Sequence, residues 1–252
     1  MKSLSKLLLI IIAFSVFFFG LRFYGQYIGY DIGTLVSDLG GLTYLYSTVG
    51  TIFAVFAAFV IISESQDWSR LSVASKDEVR DLNELFLWSK RLSKPLSEKC
   101  SQTIQQYLET VIDKEWKSLR EGSESAETES IISTFHDLLI LASKENLDIG
   151  AHMFTSFNEL LSHRAIRIEY SCQPLPAILK FTVFLVDVAV IGLSLFIGVK
   201  NLWLDFMFML CIVTLGSVIL MVVDDLDNPL RPGEWCLTSN GHQRLLNNIR
   251  RS

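Results

Sequence analysis

Apolar positions in this chain are concentrated in four long runs, with a long stretch of mixed polarity between the second and third. The runs occupy residues 4–21, 42–62, 177–199 and 202–223, and each approaches the roughly 20 residues that a helix needs to cross a bilayer. In residues 63–174, apolar side chains recur every three or four positions, which is typical of amphipathic helices. The pattern predicts an all-α integral membrane protein with four transmembrane helices and a large helical cytosolic insert between spans two and three.

The same pattern divides the chain into segments. We expect transmembrane helices 1 and 2 with an outer loop in residues 1–62, a cytosolic helical region in 63–174, transmembrane helices 3 and 4 in 175–223, and a cytosolic C-terminal tail in 224–252. Within the insert, Pro95 is predicted to end the first helix, because proline lacks the backbone N–H that a helix interior requires.

The first run has two interpretations. A basic start at Lys2 and Lys6 before a short apolar core is typical of a signal peptide. The run lacks a small-x-small cleavage site, however, and Arg22 follows it. We therefore expect a retained membrane helix.

Basic residues predict the orientation of the spans. They precede the first run, are frequent in the insert and follow the fourth run, whereas the loops near residues 22–41 and 200–201 contain few of them. Cytoplasmic loops carry an excess of Lys and Arg. Both termini and the insert are therefore predicted to be cytoplasmic, in a plasma or inner membrane.

Composition supports the membrane class and argues against several others. The chain is 50% hydrophobic and 19% charged, with a mean hydropathy of +0.37, whereas soluble domains carry about 25% charged residues. A formal net charge of −5 provides no basic surface for nucleic acid. The widely spaced cysteines form no CxxC motif, and no GxSxG motif or phosphate-binding loop is present, so neither a metal centre nor an enzyme is favoured.

The second run is the most patterned of the four. With about 3.6 residues per helical turn, one narrow stripe consists of small residues: Gly50, Ala54 and Ala57. Small residues let membrane helices approach closely. The opposite face carries the candidates for a pore neck: Ile52, Phe56, Phe59 and Ser63.

Two interpretations of this bulkier face remain open. In a ring of identical subunits, it would point at the central axis and form a hydrophobic constriction that gates by losing its water. Phenyl edges at the axis would favour anions and phenyl faces would favour cations, because ring edges carry partial positive charge. Alternatively, the phenylalanines face lipid.

Two charged residues stand within the third run. Lys180 is close to the cytoplasmic end, where its long side chain reaches the interface. Asp187 is near the middle of the membrane, where a charge is costly. It is either a polar element beside an ion path or a protonated or hydrogen-bonded acid that meets Ser194, Thr214 or Ser217.

Directly after the fourth run stands a cluster of acids followed by an amide: Asp224, Asp225, Asp227 and Asn228. Carboxylates at a helix C-terminus are disfavoured by the helix dipole. One interpretation is a calcium site, although an EF-hand loop is excluded because its glycine and closing acid are missing. The others are a structural lock with Arg164 and Arg167 and a solvated acidic turn. No cofactor is expected, unless the cluster binds calcium.

A set of short motifs occurs in order along the chain: GTIFAVFAAFVI in the second run, Tyr107, Val111, Glu115-Trp116, RAIR at residues 164–167, a proline at 174 or 176, and DLDNP at residues 225–229. In this order they resemble the bestrophin-like family of four-span membrane proteins, which is related in architecture to bestrophin anion channels. The resemblance covers residues 47–233. The chain departs from the family pattern at Leu230 and Pro232, which argues against a calcium role.

The resemblance implies a ring-shaped homo-oligomer, a pentamer, around a pore lined by the second span. It also implies passive conduction of small ions, with chloride as the leading candidate. The partners would be other copies of the chain, the lipid bilayer and small inorganic ions. The competing hypothesis is a non-conducting membrane scaffold or sensor whose cytosolic helical insert binds a partner protein.

Overall fold

A computed structural model describes residues 2–29, 39–120, 123, 125–196 and 201–251. Within these ranges the chain is helical and contains no β-strand, so the predicted all-α class is confirmed. The predicted outer loop falls largely on residues 30–38, and the end of the predicted third span falls on residues 197–199. Both segments lie outside the described residues.

The described helices follow one another along the chain as α1 (Lys2–Ile28), α2 (Leu39–Ser89), α3 (Lys94–Thr110), α4 (Trp116–Arg120), α5 (Ala126–Glu145), α6 (Leu147–Cys172), α7 (Ala177–Phe196), α8 (Leu202–Leu226) and α9 (Asn240–Arg251). A π-helical segment, Val111–Glu115, joins α3 to α4. Four helices in the described ranges are long and apolar enough to cross a membrane, and they carry the candidate spans Leu4–Ile28, Thr43–Ser89, Ala177–Leu195 and Leu202–Asp227. The predicted number of spans is confirmed.

Helix α2 is longer than the apolar run that predicts it. It continues for 51 residues, because residues 51–89 keep a helical repeat of apolar positions and contain no proline or glycine. The prediction that Pro95 ends this helix is wrong. Helix α2 ends at Ser89, and Pro95 lies in the first turn of α3, where its missing N–H is not needed.

The chain forms two compact units, which are described separately. Unit 1 comprises Met1–Ser65 and Leu175–Asp227, and unit 2 comprises Gln66–Pro174 and Asn228–Ser252. Unit 1 therefore contains the apolar helices, and unit 2 contains most of the predicted insert together with the C-terminal tail.

In unit 1, small apolar clusters join the helices while much of the apolar surface stays exposed. One cluster joins α1 to α8 through Phe14, Phe18, Met209 and Val213. A second joins α2, α7 and α8 and contains Val60, Leu175, Val183 and Val223. An outward apolar surface suits a bilayer, because lipid tails are as apolar as these side chains.

Unit 2 is a helical bundle with one contiguous hydrophobic core. Helices α2, α3, α5 and α6 contribute fully buried side chains, among them Leu85, Leu108, Leu139 and Met153. The amphipathic helix α9 adds Leu245, Leu246 and Ile249 to the same core. Leu230 is also a core residue.

Candidate functional site

An apolar face of α2 in unit 1 is exposed in the described part of the chain. Two of the predicted neck residues lie on it, Ile52 at 61% exposure and Phe59 at 65%. Val55 and Ile62 extend the same face at 67% and 57% exposure. A bulky apolar face of this kind needs either lipid or another copy of the chain to cover it.

The other two predicted neck residues are less exposed. Phe56 is partly buried, because it packs against the cluster that contains Val60 of the same helix. Ser63 is also partly buried. The structure therefore places Ile52 and Phe59 on the outward face, and it places Phe56 beside the packed face.

The predicted small-residue stripe is divided between the two faces of α2. Ala57 is 2% exposed and belongs to the packed face. Ala54 is exposed, and a side chain added at Gly50 would meet no described atom within 4 Å. Within the described part of the chain, Gly50 and Ala54 are therefore not covered by other side chains.

Asp227 explains why an acid stands at the end of α8. Its carboxylate accepts a hydrogen bond from the backbone N–H of Leu175 and pairs with the ammonium group of Lys180. Leu175 lies two residues before α7 and Lys180 lies in its first turn, where the helix dipole is positive and favours a negative charge. Lys180, predicted to reach the interface, thus has a specific carboxylate partner.

The remaining members of the aspartate cluster are more open. Asp224 is exposed, and Asp225 and Asn228 are partly buried. The carbonyl of Asn228 accepts a hydrogen bond from the N–H of Arg231 at 3.0 Å, which closes a turn. Among the described residues, no group of three or more His, Cys, Asp or Glu side chains is placed to hold a metal ion. The calcium interpretation stays a prediction.

Both arginines of the predicted lock bind glutamates within unit 2, and the lock with the aspartates stays a prediction. Arg164 donates from Nη1 to Glu129 at 2.7 Å and from Nη2 to Glu115 at 3.0 Å. Arg167 donates to both carboxylate oxygens of Glu78, at 2.5 Å and 3.1 Å, and also to Glu115.

Helical geometry explains why these charges meet. Arg164 and Arg167 are three residues apart and share one face of α6. Glu78 was not identified from the sequence, although it stands at helical spacing with Leu82 and Leu85 and so points into the core. An acid on the apolar face of a helix was the available signal, because such a group needs a charged partner.

The charge cluster is enclosed. Glu78 and Glu115 are 0% exposed and Arg167 is 1% exposed.

The enclosed acids stay charged while the tyrosine stays neutral. Burial raises the pKa of Glu115, but the guanidinium groups of Arg167 and Arg164 outweigh the effect of burial, so that this pKa is lowered overall. Burial and the neighbouring carboxylate of Glu78 hold the pKa of Tyr107 well above its ordinary value. Tyr107 therefore stays neutral and donates to Glu78 at 2.8 Å.

The intramembrane acid of the third span packs directly against another helix. Asp187 is 5% exposed, and a Cβ atom added at Gly216 of α8 would collide with its carboxyl group. Ser194, one of its predicted neighbours, instead donates to the carbonyl of Ile191 at 2.7 Å and contacts the sulfur of Met209 at 2.9 Å.

A further ion pair in unit 1 was not predicted. Arg22 of α1 donates to Asp205 of α8 at 2.5 Å, and the two side chains are 11% and 4% exposed. The guanidinium carbon of Arg22 also lies 5.5 Å from the ring centre of Phe18. The pair joins α1 to the beginning of α8.

A family model described as the Bestrophin-like domain matches residues 38–231. The match includes α2, the buried arginines and glutamates of unit 2, and the aspartates that follow the last span. Among curated proteins, none matches the chain.

Crystal structures of a bacterial bestrophin homologue from Klebsiella pneumoniae have a similar fold. One variant with a single substitution gives a TM-score of 0.77 at 12% identity, over 100% of this chain and 98% of that chain. Another gives 0.71 at 13% identity, over 99% and 100%. A crystal structure described only as that of a membrane protein gives 0.74 at 12% identity, over 99% and 97%. At such low identity, the likeness concerns the fold alone.

Proposed function

We propose that this chain, which belongs to the bestrophin-like family, forms a homo-oligomeric channel that conducts small ions passively across a membrane. The family and the fold support a channel rather than an enzyme. The observation that carries the proposal is the exposed apolar face of α2, on a helix that is long and apolar enough to span a membrane.

In the proposed channel, copies of α2 surround a central axis and their outward faces form a hydrophobic neck. Ile52 and Phe59 would face the axis, because they are the most exposed of the predicted neck residues. Phe56 would support the neck from its packed edge, and Ser63 would mark the cytoplasmic end. Ions would lose part of their hydration in the neck, which would close by losing its water.

The proposed assembly is a pentamer in which small residues of α2 let neighbouring copies approach. Gly50 and Ala54 would lie at the contact between copies, since both leave space beside the helix. Ala57 would instead serve packing inside each copy, where it is already buried. Lipid would cover the remaining apolar surface of unit 1.

Chloride is the leading candidate for the conducted ion. Phenyl edges of Phe56 and Phe59 at the neck would favour an anion, as the resemblance to bestrophin anion channels also does. Asp187 and Lys180 would serve packing rather than conduction, because each already contacts a partner in unit 1.

We further place both termini and the helical insert in the cytoplasm, in a plasma or inner membrane. The distribution of Lys and Arg supports this orientation. The proposed mechanism requires no cofactor, because the neck acts by its shape and hydration.

Recordings from purified protein in planar bilayers test the proposal. Wild-type protein should give currents above the background of an empty bilayer. Phe59→Ala should increase these currents several-fold, because a smaller side chain widens and wets the neck. Phe208→Ala is the matched control, since Phe208 is 62% exposed on α8 and should leave the current unchanged.

The same recordings distinguish the alternatives. In a potassium chloride gradient, a reversal potential near that of chloride is expected; one near that of potassium would refute the anion assignment and leave the channel itself in place. Currents no larger than background from both wild type and Phe59→Ala would instead favour a non-conducting scaffold or sensor whose insert binds a partner protein.

A further inference from the structure

Two tryptophans of unit 2 form a pair that joins α2 to the segment after α8. The ring centres of Trp68 and Trp235 lie 5.3 Å apart, and the ring planes meet at 85°. Nε1 of Trp68 donates to the backbone carbonyl of Trp235 at 2.7 Å. Trp68 is only partly buried, and Trp235 is 38% exposed. The pair is therefore held in one arrangement while part of its ring surface stays uncovered in the described part of the chain.

Trp235 belongs to a short exposed loop that is attached to unit 2 at both ends. The N–H of Leu237 donates to the carbonyl of Pro229 at 2.7 Å, which closes the loop. Leu230 is a core residue, and Leu237 packs against the same core. Residues 231–235, between them, are all exposed. The loop thus presents Trp235 at the surface from a fixed base.

Both tryptophans follow closely on apolar spans. Along α2, Trp68 comes six residues after Ile62, which is about 9 Å at 1.5 Å per residue. Side chains of a helix lean toward its N-terminus, which for α2 is the direction of the apolar run. The candidate span of α8 ends at Asp227, eight residues before Trp235. Since the headgroup layer on each side of a bilayer is about 5–8 Å thick, the ring of Trp68 can reach it.

We propose that the Trp68–Trp235 pair docks into the phospholipid headgroup layer of the leaflet on the side of the C-terminal tail. Indole rings are enriched in this layer, because they combine an apolar body with a polar N–H group. The pair would attach the loop and the adjoining part of α2 to the bilayer surface. The inference goes beyond the proposed channel and requires neither conduction nor a ring of subunits.

The charges around the pair indicate that the rings, and not a net charge, would recognise the lipid. In the loop, Arg231 and Glu234 carry opposite charges. On α2, Arg70 and Asp67 do the same, with Nη1 and Oδ1 3.7 Å apart. Since these formal charges cancel, we expect no requirement for anionic lipid.

Tryptophan fluorescence of the full-length protein in lipid nanodiscs tests the docking. The chain has five tryptophans, and a Trp203→Phe background removes the one that is 69% exposed on α8. In this background, phosphatidylcholine with a nitroxide on its headgroup should quench about half of the emission, because two of the remaining four indoles would lie in the headgroup layer. Adding Trp68→Phe or Trp235→Phe should lower the quenched emission by about half, and adding phosphatidylglycerol should leave the quenching unchanged.

Trp88→Phe in the same background is the matched control. Trp88 is also on α2, but its ring stacks on His152 at 4.4 Å, so its loss should leave the quenched emission unchanged. Equal quenched emission in the Trp68, Trp235 and Trp88 variants would overturn the inference. So would emission from the pair that dissolved acrylamide quenches and the nitroxide lipid does not, which would place the rings in water. Protection of the pair from both quenchers would also overturn it, because a protein partner would then cover the rings.

Discussion

At the scale of single residues, the carboxylate of Asp227 interacts unfavourably with the dipole of α8 and favourably with groups at the start of α7. At the end of α8 it faces an unfavourable dipole, which costs about 0.3–1 kcal/mol. Its contacts with Leu175 and Lys180 are hydrogen bonds to a charged group, each of which contributes about 1.5–3 kcal/mol. The contacts therefore outweigh the dipole of α8, and they also attach the beginning of α7.

The buried arginines and glutamates of unit 2 raise a different energetic question. A fully buried ion pair often contributes little net stability, because desolvation offsets the Coulomb attraction. Removing one partner, however, leaves an uncompensated buried charge and costs about 3–5 kcal/mol. We therefore expect the cluster to determine how α6 meets α2 and the π-helical segment more than it adds to the stability of the bundle.

Glu115→Gln tests this assignment. Arg164 and Arg167 would lose a shared carboxylate, so the variant should be destabilised by about 3 kcal/mol or more. Because folding lowers the pKa of Glu115, its contribution is present above about pH 4, where an unfolded glutamate ionises. The contribution is lost as the pH falls through the lower folded pKa. Melting curves across the acid range should therefore be flatter for the variant than for the wild type.

Glu127→Gln is the control for this experiment. Glu127 pairs with Lys114 at 2.5 Å, but the two side chains are 57% and 58% exposed. Exposed pairs contribute at most about 1 kcal/mol, so this variant should melt close to the wild type. Equal melting temperatures for the Glu115 and Glu127 variants would contradict a buried role for Glu115.

At the scale of secondary-structure elements, the packing of α7 on α8 depends on a glycine. A methyl group at Gly216 would collide with the carboxyl group of Asp187, so the helices would have to separate. Gly216→Ala should lower the stability in detergent by about 1–3 kcal/mol. Gly192→Ala on α7 is the control, because a side chain there would meet no described atom within 4 Å.

A second substitution distinguishes steric collision from other causes. Asp187→Ala removes the group that Gly216→Ala would strike, so the double variant should be more stable than the two single effects predict when they are added. Additive effects in this double-mutant cycle, measured by chemical unfolding, would show that the two residues are not in contact.

At the scale of the whole molecule, the exposed apolar surface of unit 1 leads us to expect assembly within a bilayer. The proposed ring can be measured as oligomer mass in detergent by light scattering. Gly50→Leu should lower this mass, because a large side chain would keep neighbouring copies of α2 apart.

Gly20→Leu is the matched control for the assembly experiment. Gly20 lies on α1, and a side chain added there also meets none of the described atoms within 4 Å, so the variant should assemble like the wild type. A wild-type chain that is monomeric, or a Gly50 variant with unchanged mass, would contradict close contact through this part of α2.

The hydrophobic pattern by itself determined the fold class, the number of spans and the helical nature of the insert. These follow from local rules: a bilayer requires about 20 apolar residues in a helix, and backbone groups within it must bond inside the segment. The family could also be inferred, because several short motifs occur along the chain in the order that the family shows. The precise ends of α2 were harder to predict, since a helix continues wherever no residue interrupts it, and Pro95 starts the next helix rather than ending this one.

Only the tertiary structure decided which charges pair and which faces are covered. Arg167 and Glu78 are 89 residues apart in the chain, and Arg22 and Asp205 are 183 apart. Such pairs depend on which helices pack together and on their rotation, and neither is contained in a local pattern. The same holds for Phe56, whose packing is set by the way α7 and α8 meet α2. Periodicity identifies the faces of a helix, but only the neighbouring helices determine which face is buried.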